Sequence, residues 1–193
     1  MIIISGKYKG RRLEGFYIDG TRPTMDRVKE SLFGMIQNCI NNSYVLDLFS
    51  GSGNLAIEAL SEGASSAYLV DLNKKACAVI KRNIKNIGVS NSNVLCMDYK
   101  MALKYFYDKS IKFNIIFLDP PYKTSYIEDA LKLISRYDLL LDSGIVVCES
   151  DSIDKIVYDD MFISYKEKKY GDKFVVLLKK VWYHIYDRVW LCE

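Results

Sequence analysis

The four residues Asp119-Pro120-Pro121-Tyr122 stand directly after the apolar run Asn114 to Leu118. Two successive prolines remove two backbone donors and hold the chain extended, which leaves carbonyl oxygens free at the end of a strand. An aspartate carboxylate, ordinarily ionised above about pH 3.9, can only accept hydrogen bonds. Asp119 and the adjacent Pro120 carbonyl therefore make a pair of acceptors matched to the two protons of a planar NH2 group. Tyr122 offers a ring on which a base can stack, worth roughly 1–3 kcal/mol. Held this way, the nitrogen aims its lone pair at an electrophile such as a sulfonium methyl, and the rate gain comes from orientation and preset electrostatics. The bland alternative is a proline-terminated strand with a surface tyrosine; the residues upstream count against it.

Those residues are Asp47-Leu48-Phe49-Ser50-Gly51-Ser52-Gly53, continuing to Ala56 as G-x-G-x-x-A. Glycines let a backbone turn tightly and approach a ligand, while the start of a following helix presents free N–H groups. A carboxylate such as Asp71, ~20 residues further on, can accept hydrogen bonds from ribose hydroxyls. Asp98, closing a later strand, can meet an adenine amino group or simply cap the helix after it. Asp47, Phe49, Ser50, Gly51, Gly53, Asp71 and Asp98 thus form a candidate site for an adenosine-containing cofactor. These features leave nicotinamide dinucleotides and S-adenosylmethionine both open.

The elements that must position these groups are legible as alternation. Apolar runs at Tyr44 to Phe49, Ala67 to Val70, Val94 to Met97, Asn114 to Leu118 and Gly144 to Cys148 are separated by helical candidates at Asn54 to Glu62, Lys74 to Ile87, Tyr99 to Tyr107 and Tyr126 to Tyr137. Such alternation predicts an α/β fold with a parallel sheet covered on both faces. Met161 to Lys168 and Phe174 to Lys179 flank Tyr170-Gly171-Asp172 without a helix between them, which predicts an antiparallel hairpin. A dehydrogenase of the Rossmann type more often continues with another helix and strand. The proline motif and the terminal hairpin both weigh against hydride transfer. In front of this core, Ile2 to Ile4 and Arg12 to Leu13 read as a short hairpin. Val28, Leu32, Met35, Ile36 and Ile40 recur at helical spacing, with Thr24 available as a cap. The expected organisation is a hairpin and helix over residues 1–43, a core over 44–180 and an aromatic tail over 181–193 whose role is undetermined.

With 193 residues, half of them apolar, the chain has the length of one domain. Five scattered cysteines without a C-x-x-C pair, and a single histidine, His184, suggest neither a disulfide frame nor a metal site; most of the cysteines read as small core residues. Nucleophilic devices built on histidine would have to run through that one residue. No apolar run approaches the ~20 residues of a membrane span, so the expectation is a soluble cytoplasmic protein that meets no membrane. The net charge of +3 is concentrated at the front: residues 1–30 carry seven basic side chains against four acidic ones, and the remainder is balanced at 20 of each. Lys7, Lys9, Arg11, Arg12, Arg22, Arg27 and Lys29 are therefore candidates for gripping a polyanion such as RNA, an ordinary solvated face being the alternative.

Arg22-Pro23-Thr24, Asp26-Arg27-Val28-Lys29-Glu30-Ser31-Leu32-Phe33, Leu46 to Gly53, Glu58-Ala59-Leu60 and Asp119-Pro120-Pro121-Tyr122 together resemble the RsmD family of bacterial 16S ribosomal RNA guanine-N2 methyltransferases. The likeness runs from about Ile3 to Lys179 and includes Gly6, Gly10 and Arg11. It implies a Rossmann-like class I methyltransferase fold: a mostly parallel seven-stranded sheet ending in an antiparallel hairpin. It further implies S-adenosylmethionine as donor, and as acceptor a guanine N2 of small-subunit RNA, free or in an assembling 30S particle. Ser50 stands where the family usually has alanine and Asp71 where glutamate is common; both departures are chemically mild. D/N-P-P-Y sites also serve adenine N6 and glutamine side chains, and the Arg22 to Phe33 signature favours guanine. A noncatalytic RNA-binding assembly protein is the reading from another class, opposed by the intact Gly51, Gly53, Asp71 and Asp119 set.

Overall fold

Each apolar run becomes a strand and each amphipathic stretch a helix. The structure, a computed structural model, describes residues 1–16, 26–121 and 125–181. In chain order these are a 3-10 turn at Gly6–Tyr8, α1 (Asp26–Ile40), β1 (Tyr44–Asp47), α2 (Asn54–Ser61), β2 (Ser66–Asp71), α3 (Lys74–Ile87) and β3 (Ser92–Cys96). They continue with α4 (Tyr99–Asp108), β4 (Phe113–Leu118), α5 (Tyr126–Arg136), β5 (Leu140–Ser150), β6 (Phe162–Tyr170) and β7 (Lys173–Lys180). The seven strands form one sheet in the order β3-β2-β1-β4-β5-β7-β6. All pairs from β3 to β5 are parallel, and β7 runs antiparallel between β5 and β6. This is the expected α/β layout with its terminal hairpin, and Gly171-Asp172 makes the two-residue turn between β6 and β7.

Period-2 alternation along the strands divides the interior in two. Val45, Leu69, Ile115, Phe117, Val147 and Leu177 pack under α1, α2 and α3. Leu46, Val70, Ile116, Leu118, Val146 and Leu178 pack under α4 and α5. Ile3 and Leu13 join the first of these layers, so the N-terminal hairpin and α1 share the core of the sheet. The hairpin itself is slight, one antiparallel bridge between Ile2 and Arg12. β5 starts four residues earlier than its apolar run suggests: Leu140 pairs with Phe113, and an irregularity lets the polar stretch Asp142-Ser143-Gly144 pass before Ile145 pairs with Ile115.

Of the cysteines, Cys77 and Cys148 are buried as expected, Cys39 is half-buried and Cys96 is exposed, and all four are free. Among the described residues no group of histidine, cysteine and acidic side chains is placed to hold a metal. No helix among them is long and apolar enough to cross a membrane. Arg22, Thr24, Tyr122 and the aromatic tail beyond Val181 lie outside the described residues.

Candidate active site

A cleft of about 460 Å³ opens where the carboxyl ends of β1, β2 and β4 meet the helix starts that follow them, a size suited to a cofactor-scale ligand. Its floor is the turn after β1. Ser50 N–H donates to the Val70 carbonyl (2.9 Å) and Gly53 N–H to that of Ser50 (2.7 Å), while Ser50 Oγ donates to the Asp47 carbonyl (2.8 Å). Gly53 adopts φ 81°, and a Cβ there would stand 2.9 Å from Leu69 Cδ2. Backbone geometry and crowding together therefore require glycine at this position.

Asp71 holds this turn from the neighbouring strand. Its Oδ2 accepts from Gly51 N–H at 2.9 Å and its Oδ1 from Asn73 N–H at 2.8 Å. Each carboxylate oxygen keeps a second lone pair for a ligand. Burial raises the Asp71 pKa, against the opposing pull of the Asn73 and Gly51 N–H groups. Asp98 takes the capping role, its Oδ1 accepting from Lys100 N–H at the start of α4 at 2.8 Å, and it also borders the cleft.

Asp119, Pro120 and Pro121 form the wall contributed by β4, alongside Phe49, Gly51 and Asp71. The two motifs read separately in the sequence thus face one cavity. Gly53 sits just beneath it as the N-cap of α2, and Tyr122 lies outside the described residues. The lining residues that sequence reasoning missed include Met1, Phe16, Leu72, Met97, Tyr99 and Tyr126. Leu72 carried a usable signal, an apolar residue next to the acid at a strand end, and it is among the most exposed large apolar side chains. Tyr99 and Tyr126 begin their helices and meet Phe49 over the cleft, with the Phe49 and Tyr126 rings parallel at 6.0 Å.

A family model described as conserved hypothetical protein 95 matches residues 1–179. Ribosomal RNA small subunit methyltransferase D of Escherichia coli (strain K12) is 32% identical over 149 residues, 77% of this chain and 74% of its own. YlbH of Bacillus subtilis (strain 168) is 39% identical over 183 residues, 93% of this chain and 99% of its own. The chain belongs to the RsmD family. The solved structure of yhhF from Escherichia coli superposes on this RsmD-family chain with a TM-score of 0.81 at 28% identity, covering 93% of this chain and 97% of that one.

The basic residues at the front of the RsmD-family chain do not act alike. Lys29 is not available to RNA, contrary to its place in the candidate set. It is fully buried against Glu58, Nζ to Oε2 2.6 Å, and also donates to the Ile2 carbonyl (2.6 Å) and Asn54 Oδ1 (2.8 Å). Its position explains this: Lys29 lies three and four residues before Leu32 and Phe33, on the apolar stripe of α1. Arg11 donates Nη1 to the Ile87 carbonyl at 2.9 Å and so caps the carboxyl end of α3. Lys7 sits in the turn that packs on Ser61, the last residue of α2. A Cβ at Gly6 in that turn would stand 1.9 Å from the Ser61 carbonyl oxygen. Because α2 and α3 start at the cleft and run ~12 Å and ~21 Å away from it, Lys7 and Arg11 lie at the end of the domain remote from the cleft. Lys9, Arg12 and Arg27 are exposed, and Lys9 and Arg27 border a shallow second groove with Ile2 to Ile4.

Asp47 carries the largest electrostatic perturbation of the site. Burial, with the nearby Asp71 charge adding to it, pushes its pKa up to about 7, against the opposing Ala56 N–H. An acid whose folded pKa exceeds its unfolded one binds more protons when folded, so stability falls as pH rises through the window from about 4 to about 7 and is level above it. Asp47→Asn removes that dependence. Between pH 5 and pH 8 the difference in unfolding free energy between variant and wild type should move in the variant's favour by roughly 2–3 kcal/mol, read from urea titrations. A difference that does not change with pH would mean that Asp47 stays ionised in the folded state.

Proposed function

We propose that this chain transfers a methyl group from S-adenosylmethionine to the exocyclic N2 of a guanine in small-subunit ribosomal RNA. The observation that carries this reading is the shared cleft: Asp119 and the two prolines line the same cavity as the Gly-rich turn and Asp71. Membership of a family that includes the small-subunit methyltransferase of Escherichia coli supports ribosomal RNA as the substrate.

The residues present fit the donor. Asp71 and the turn at Gly51 suit ribose hydroxyls and a close backbone approach. Leu72 and Met97 offer apolar faces for an adenine ring beside Asp98. Asp71 supplies negative charge near a cationic ligand, and such a ligand would favour the ionised form of the buried Asp47. When bound, S-adenosylmethionine supplies an electrophilic methyl group. The chain's own part is to accept hydrogen bonds from the guanine amino group at the Asp119 carboxylate and the Pro120 carbonyl, which turns the nitrogen lone pair toward the donor. Asp119 then takes the proton that the methylated nitrogen sheds. A base paired within a duplex cannot present this nitrogen, so the target guanine lies in a loop or is extruded, and Tyr122 is the ring proposed to receive it.

Incubation of the protein with S-adenosylmethionine and either deproteinised small-subunit RNA or 30S subunits, followed by nucleoside mass spectrometry, should yield N2-methylguanosine. Finding N6-methyladenosine, or a methylated protein, would move the activity to a different NH2 acceptor. No methylated product from either substrate would leave the noncatalytic RNA-binding reading.

A further inference from the structure

We propose that the cleft-side half of β6, through Lys166, Lys168 and Lys169 together with Arg27 of α1, binds the phosphate backbone of the RNA strand whose base occupies the active site. This inference rests on the RNA methyltransferase reading and extends it to a surface outside the cleft.

Strand register places this surface. Leu118, the last residue of β4 before Asp119, pairs with Cys148. Further along β5, Ser150 pairs with Phe174, and Phe174 with Lys169. The β6–β7 turn therefore lies at the same end of the sheet as the cleft, three strand spacings, ~14 Å, to the side of β4. α1 reaches the same place, where Ser31 Oγ meets the Tyr170 hydroxyl and accepts from Lys168 Nζ at 3.1 Å. Arg27, one helical turn earlier, shares the face of Ser31.

Charge distinguishes this group of lysines from Lys173 and Lys180 of the hairpin, while Lys179, at the far end, lies over the Tyr165 ring. Lys173 is paired with Glu149, and Lys180 with Asp138 and Asp142. Lys168 bonds a hydroxyl, and Lys169 lies over the Phe174 ring at 5.1 Å. Lys166 is exposed. Glu167, the acid among them, accepts from Ser164 Oγ at 2.7 Å. Asp26, Glu30, Glu167 and Asp172 are the nearby carboxylates by position, four against the three lysines and Arg27, and the ion pairs of the hairpin among the described residues engage none of these four cations. Lys166 and Lys168 share one face of the strand with side chains ~7 Å apart, which allows each to meet a separate phosphate.

Lysines on an edge strand also discourage sheet-to-sheet pairing, and that is the competing explanation. A guard belongs where the edge is apolar, yet the far half of β6 is the part that exposes Ile163 (56%) and Tyr165 (58%). The lysines are grouped instead at the cleft end.

The test compares wild type with Lys166→Gln/Lys168→Gln/Lys169→Gln in binding to deproteinised small-subunit RNA across a KCl series, with S-adenosylhomocysteine affinity measured alongside. Three lost contacts to single-stranded phosphates should reduce the magnitude of the log–log salt slope by about 2. Donor-product affinity should stay within about twofold, and Lys7→Gln, at the end of the domain remote from the cleft, should leave the slope unchanged. An unchanged slope in the triple variant while the wild type still methylates RNA overturns this inference and spares the function. Self-association of the triple variant in sedimentation, with RNA binding intact, overturns it in favour of the edge guard. Wild-type protein that neither binds RNA in a salt-dependent way nor methylates it removes both.

Discussion

Asp119→Ala is expected to reduce methyl transfer by at least ~10²–10³-fold, the loss found when a preset charge-complementary group is deleted from a reacting centre. The same variant should bind S-adenosylhomocysteine with nearly wild-type affinity. The part of the cleft proposed to hold the donor is built by other residues: Asp71 holds the Gly51 turn (2.9 Å) and Asn73 (2.8 Å). Single-turnover assays on small-subunit RNA, paired with calorimetry of the donor product, separate the two effects. Normal turnover would show that Asp119 serves the fold and that the amine is oriented by something else. Joint loss of turnover and donor affinity would place Asp119 in the cofactor site instead.

The second large effect is on stability. Lys29→Met leaves Glu58 buried without its cation, and breaking such a pair typically costs about 3–5 kcal/mol. Glu58 also accepts from Ile4 N–H (2.9 Å) and Ser5 N–H (2.9 Å), so deleting its side chain would orphan two backbone donors. Glu58→Gln keeps an acceptor there and removes the charge. Lys29→Met/Glu58→Gln should therefore be more stable than Lys29→Met alone, even though it carries one more change. Urea unfolding with matched m-values reads this directly. If the double variant is instead destabilised by the sum of the two single effects, the buried charges are not coupled in the way that the 2.6 Å contact implies.

Lys29 also shows what could be read from residue order and what could not. Its spacing from Leu32, Phe33 and Ile36 puts it on the buried stripe of α1, a signal present in the sequence and outweighed by its basic neighbours. The existence of an acid opposite it was not legible, because Glu58 belongs to a helix 29 residues on, whose contact with α1 is set by the sheet. Strands β1 to β4 and their helices were legible because buried parallel strands are near-continuous apolar runs. The early part of β5 was not, since Asp142 and Ser143 interrupt the apolar pattern where the ladder is irregular. At the site, the Gly-rich turn and the proline motif declared themselves through chemistry that few other residues can supply. Tyr126 and Met97 line the same cleft for reasons of position alone.

The way the first 16 residues are tied down bears on how the chain acquires its structure. Ile4 and Ser5 bond to Glu58 across separations of 54 and 53 residues. Arg11 reaches Ile87 across 76 residues, and Glu14 N–H reaches Asn83 Oδ1 across 69. Asn83 in turn donates to the Ser52 carbonyl at 2.9 Å. During synthesis this leading segment exists before any of its partners has been made, and at about 5–20 residues per second it waits several seconds for them. Closing such long loops early gains no contact to offset the lost chain entropy. The segment should therefore dock late, onto α2 and α3 already packed on their strands. Met1 and Phe16, which line the cleft, would then reach it only at that stage, so that the cleft is completed at the end of folding rather than at a stage along it.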